Sequence, residues 1–89
     1  MLRKKIEIIN KLGLHARAAA KFVALAGRFE SQIEVMHKER CVNGKSIMGV
    51  MMLAASKDNE IELIVAGPDQ QEALEALTQL IEQRFHESE

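Results

Sequence analysis

Glu60-Ile61-Glu62-Leu63-Ile64-Val65-Ala66, closed by Gly67-Pro68, alternates with Ile61, Leu63 and Val65 on one side and Glu60 and Glu62 on the other. Successive strand residues point to opposite faces, so this is a strand with one face buried and one in water. One-sided strands imply an antiparallel sheet covered by helices on a single face, an α+β class. Towards the N-terminus, the polar turn Ser56-Lys57-Asp58-Asn59 leads into the strand. Ahead of it, Ile47, Met48, Val50, Met51, Met52 and Leu53 form a short helix capped by Ser46. Asn43-Gly44 is a turn signal, and a short strand lies around Arg40-Cys41-Val42. Gln32 to His37 alternates again, separated from that strand by Lys38-Glu39. Ala19, Phe22, Val23 and Ala26 recur at helical spacing from Ala16 onward, with Gly27 as the stop. Lys5 to Ile9 is a half-buried strand with Ile6 and Ile8 inward. Beyond Gly67-Pro68, Asp69 and Glu72 have the spacing of a capping box, and Leu74, Leu77, Leu80, Ile81 and Phe85 mark an amphipathic last helix. The order is β-α-β-β-α-β-α in a single domain over residues 1–89.

Composition narrows what such a domain does. With 12 basic against 13 acidic residues and a net charge of -1, nothing draws the chain to a phosphate backbone. Trp and Tyr are absent and only three Phe are present, so base-stacking platforms are missing. Both facts weigh against a small RNA-binding domain of the β-α-β-β-α-β type. Cys41 is the sole cysteine, which excludes an internal disulfide or a cysteine-based zinc cluster. Polar residues after Leu2-Arg3-Lys4-Lys5 interrupt any signal-peptide core, and Ile47 to Ala55 is about half the length of a membrane span. A cytoplasmic location without membrane insertion is expected.

The segment Asn10-Lys11-Leu12-Gly13-Leu14-His15-Ala16-Arg17 carries the most chemistry. His15 falls where loop gives way to helix, and the first N–H groups of a helix lack intrahelical acceptors. The amides of Ala16, Arg17 and Ala18 would meet a phosphoryl group there, at the positive end of the helix dipole. Arg17 adds a charge-assisted donor. From the residues alone, His15 reads either as a phosphohistidine or as a histidine that merely bonds nearby backbone.

Gly13-Leu14-His15-Ala16-Arg17 closely resembles the phosphorylation-site motif of HPr, the histidine-containing phosphocarrier of the phosphoenolpyruvate-dependent phosphotransferase system. Asn43-Gly44-Lys45-Ser46-Ile47-Met48-Gly49-Val50-Met51 is similar to the regulatory-serine region of the same family. The spacing between the two motifs, the chain length and the order of elements match as well, so the resemblance covers essentially the whole chain. The resemblance implies an open-faced β-sandwich: a four-stranded antiparallel sheet in the order 1-4-2-3 with three helices on one face. It also implies a phosphocarrier and not an enzyme, without cofactor or metal, acting as a monomer. His15 would take a phosphoryl group on Nδ1 from the phosphorylated first enzyme of the system and pass it to a IIA-type acceptor domain. Arg17 would steady the group in transit. Where bacteria possess an HPr kinase/phosphorylase, Ser46 would be its target. Docking would fall on Ala20, Ile47, Met48 and Met51, since in this family the first two helices share one docking face. The family usually has proline after the arginine; Ala18 stands there instead and is similar to the nitrogen-related branch, NPr. A diverged regulatory binding module without phosphotransfer is the alternative, and the presence of both His15 and Arg17 favours the carrier.

The remaining candidates have structural readings. Ser46 as an N-cap contributes about 1 kcal/mol with or without regulation. His37 is expected at a strand end, His86 in a C-terminal tail, Cys41 as a small buried residue, and Glu72, Glu75 and Glu82 on a solvated helix face.

Overall fold

Alternation along the last strand orients the whole sheet. The computed structural model describes residues 1–88. Strands β1 (Leu2–Glu7), β2 (Gln32–His37), β3 (Arg40–Asn43) and β4 (Glu60–Ala66) form one antiparallel sheet in the order β1-β4-β2-β3. On β4, Ile61, Leu63 and Val65 are buried, with Ile6 of β1 opposite Ile61 and Ile33 and Val35 of β2 opposite Val65 and Leu63. Helices α1 (Ala16–Ala26), α2 (Ile47–Met52) and α3 (Gln70–Glu82) cover this apolar side. Phe22, Ala26, Val50, Leu77 and Ile81 complete a single core with the strand residues. The layering and strand order are those the resemblance implied.

The opposite sheet face stays open. There Arg3 donates to both carboxylate oxygens of Glu62, at 3.1 and 3.3 Å, across the β1–β4 pair. Cys41 belongs to this side, which corrects the expectation of a buried thiol. It pairs with Met36, while its neighbour Val42 pairs with the buried Val35. In so short an edge strand the parity of one residue decides which side chain faces in. Partial burial, and then the Glu34 carboxylate, push the Cys41 thiol above its ordinary pKa, against any role as a thiolate.

Two features of α3 differ from expectation. Asp69 stands at its N-cap, yet its side chain makes no capping hydrogen bond. The carboxylate instead accepts from the main-chain N–H groups of Glu30 and Ser31, both at 2.9 Å, and from Ser31 Oγ at 2.5 Å. It therefore clasps the α1–β2 connection to the start of α3, and the apparent capping box is a coincidence of spacing. At the other end the helix stops at Glu82, so Phe85 is not one of its face residues. Arg84, Phe85 and His86 take left-handed backbone angles, with φ of 56, 53 and 62°. Each costs about 1–2 kcal/mol in a residue with a Cβ. The turn folds Phe85 back into the core, where it is fully buried, and burial of that ring offsets about 3 kcal/mol. Lys21 Nζ donates to Phe85 O at 2.7 Å, tying the turn to α1. His86 is thus held in an ordered turn and not in a fraying tail.

Candidate functional site

Gly13 sets the geometry of the loop before α1. Its φ of 66° is left-handed, and a Cβ there would lie 2.6 Å from Ala55 O. Leu14 N donates to Ala55 O at 2.9 Å and the Leu14 side chain is buried, so the next residue is delivered at the helix start. That residue is His15, the N-cap of α1, with extended backbone angles of -75 and 178°. Its carbonyl accepts from Ala19 N at 2.8 Å, and its Nδ1 accepts from Arg17 N at 3.3 Å.

The other ring nitrogen has a partner that the sequence did not reveal. Nε2 of His15 pairs with a carboxylate oxygen of Glu87. The second oxygen of Glu87 accepts from Asn10 Nδ2 at 2.9 Å. Asn10 is fully buried and donates from the same nitrogen to Gly13 O at 2.9 Å. Burial acts to raise the Glu87 carboxyl. Hydrogen bonds from Asn10 and His15, with the nearby Lys21 ammonium, outweigh that and hold it below the ordinary glutamate range. The His15 side chain keeps 27% of its surface exposed, enough for a reacting group to reach the ring.

The structure brings His15, Ala16 and Arg17 to one open depression, with Lys11, Lys21 and His86 adding basic groups around it. The Arg17 contact with His15 is made by its main-chain N–H, and its side chain is exposed. Ala16 is exposed as well, whereas Ala18 is fully buried and belongs to the core. The amides of Ala16 and Arg17 are therefore the first-turn donors that lie at exposed residues.

Packed against α1, helix α2 presents Ile47, Met48, Met51 and Met52, with exposures of 43, 69, 39 and 56%. Val50 is fully buried on its inner side. Leu12, 65% exposed in the loop before His15, and exposed Ala20 on α1 lie outside the core too. Ser46 caps α2 as expected, its Oγ accepting from Gly49 N at 3.1 Å. At the far end of α2, Arg40 donates to Met52 O at 2.7 Å. Sequence reasoning missed Asn10, Leu12 and Glu87. An apolar Leu12 between Lys11 and Gly13 was the one available signal among them. Among the described residues, no three His, Cys, Asp or Glu side chains converge as a metal site, and no helix is long and apolar enough to cross a membrane.

The fold and the site define a class: a small α+β protein that places one partly exposed imidazole at a helix N-terminus and presents a second, short helix with an exposed apolar side. Comparison with known proteins makes this specific. Residues 2–83 match the family described as the PTS HPr component phosphorylation site. The chain is 56% identical over 89 residues to the phosphocarrier protein HPr of Neisseria meningitidis serogroup A, covering 100% of both. It is 58% identical over 86 residues to the phosphocarrier protein HPr of Pseudomonas aeruginosa, covering 96% of each. The crystal structure of HPr-C-His from Thermoanaerobacter tengcongensis superposes with a TM-score of 0.96 at 49% identity, over 100% of both chains. The chain belongs to the HPr family of the phosphotransferase system.

Proposed function

We propose that the chain carries a phosphoryl group on Nδ1 of His15, receiving it from the phosphorylated first enzyme of the phosphotransferase system and giving it to a IIA-type acceptor. The observation that carries this reading is the placement of His15 at the N-cap of α1 with Nδ1 accepting a hydrogen bond, and so holding a lone pair. In the transfer, that lone pair attacks phosphorus while the donor's phosphorus–nitrogen bond breaks, its electron pair returning to the donor imidazole. As the new bond forms, Arg17 N–H loses its ring acceptor and becomes available to a phosphoryl oxygen. The Arg17 guanidinium supplies further donors. The exposed apolar surface of Ile47, Met48 and Met51, with Ala20 of α1, fits a docking face for both partners. Met side chains adapt to more than one partner surface. Ser46 at the edge of that face is suited to regulation by an HPr kinase/phosphorylase, because a phosphate there adds charge at the docking face. The carrier works as a cytoplasmic monomer.

Incubation with phosphoenolpyruvate and the first enzyme tests the reading. An acid-labile phosphate on His15, absent from folded His15→Ala, is expected. Full labelling of that variant, or label on His37 or His86, overturns it.

A further inference from the structure

We infer that Glu87, held by Asn10, is a positioning residue for phosphoryl transfer at His15: its carboxylate fixes the imidazole tautomer and ring orientation that leave Nδ1 as the nucleophile. The inference rests on the function proposed above.

A neutral imidazole has one protonated and one bare nitrogen, and its partners decide which is which. At His15 the two partners agree. Arg17 N–H is a donor facing Nδ1, so Nδ1 must offer a lone pair. The Glu87 carboxylate is an acceptor facing Nε2, so Nε2 must carry the proton. Neither contact alone would hold the ring; together they pin it at both ends.

The carboxylate is itself held. Asn10 Nδ2 grips one oxygen of Glu87 and the carbonyl of Gly13, both at 2.9 Å, so that the carboxylate is tied to the loop that delivers His15. The buried ring of Phe85 and the bond from Lys21 to Phe85 O fix the backbone two residues earlier. A carboxylate supported in this way behind an imidazole raises the basicity of the far nitrogen and limits ring rotation. When Nδ1 bonds to phosphorus, the ring becomes a phosphoimidazolium with its positive charge shared onto Nε2–H. Glu87 lies against that charge. On the return step the acceptor's imidazole nitrogen attacks phosphorus and the phosphorus–Nδ1 bond breaks, its electron pair returning to Nδ1, so that the ring is neutral again with Nε2–H still donating to the Glu87 carboxylate.

The test is nitrogen NMR of the His15 ring in the unphosphorylated protein, together with single-turnover transfer in both directions, for wild type, Glu87→Gln and Glu87→Ala. Glutamine presents both a donor and an acceptor and so no longer dictates the tautomer. Wild type should show the proton on Nε2 alone, both variants a mixture, and transfer should slow about tenfold with native circular dichroism. An unchanged tautomer in the variants overturns the inference. So does transfer at the wild-type rate or faster, the latter marking the Glu87 contact as a cover that must be displaced. The NMR measurement needs no phosphate, so it stands apart from a failure of wild type to accept one.

Discussion

His37 Nδ1 donates to the main-chain oxygen of Leu53 at 3.0 Å, joining the end of β2 to the last turn of the apolar helix α2. His37 is buried, and the carbonyl it satisfies is one of those a helix C-terminus leaves unpaired. A histidine with no motif around it thus ties the C-terminal end of the proposed docking helix to the sheet. His37→Ala should destabilise the fold by about 1–3 kcal/mol. Hydrogen exchange at Val50 and Leu53 should accelerate more than exchange in the β1–β4 pair. Uniform acceleration across the molecule would deny the local role.

Ser46→Asp keeps an acceptable N-cap for α2 while adding a charge beside Ile47 and Met48. Its circular dichroism should match wild type, and its affinity for the first enzyme should fall about tenfold. Titration of both proteins against that enzyme decides it; equal affinities would make Ser46 a cap and nothing more.

Arg17→Lys retains the charge and the main-chain N–H but loses the planar fork. Transfer should slow about fivefold, the equivalent of about 1 kcal/mol for one hydrogen bond. Rates equal to wild type in both directions would show that the guanidinium takes no part.

Asp69 gives a pH signature. Hydrogen bonds from Ser31 Oγ and then Glu30 N hold its carboxyl below the ordinary aspartate value. A group depressed in the folded state stabilises above its unfolded pKa, near 3.9, and that stabilisation is lost as pH falls through the folded value. Asp69→Asn should therefore unfold at lower denaturant than wild type at neutral pH, with the gap closing in acid. A gap that stays constant from neutral pH into acid would show that the clasp does not depend on charge.

Phe85→Ala removes a fully buried ring and with it the reason for three left-handed residues in succession. A loss of about 3–5 kcal/mol is expected by denaturant unfolding. A loss under 1 kcal/mol would mean that the turn is held by its backbone bonds.

Legibility followed the range of the interactions. The alternation of β4 and the spacing in α1 were readable because period and burial are local properties. The place of His15 and Arg17 at the start of α1 was readable from the loop-to-helix change, and only the motif set it apart from an ordinary helix start. Phe85 fell at a helical interval from Ile81, yet a left-handed turn places it, and only the vacancy it fills in the core selects that turn. Asp69 had the spacing of a capping box, but the amides at Glu30 and Ser31 compete for its carboxylate from 39 and 38 positions away. Cys41 turned on strand parity in a four-residue edge. Glu87 meets His15 across 72 positions, and no local pattern announces such a contact.

Cys41 has a practical consequence. It is the only thiol in the sequence, and it sits on the uncovered side of the sheet, away from the helices and from His15. A fluorophore or spin label attached there would report rotation and complex formation without standing between His15 and a docking protein. Because the thiol is shifted upward, attachment should run faster in mildly alkaline buffer than at neutrality. The sequence thus offers one attachment point on the side of the sheet opposite the helix that His15 caps.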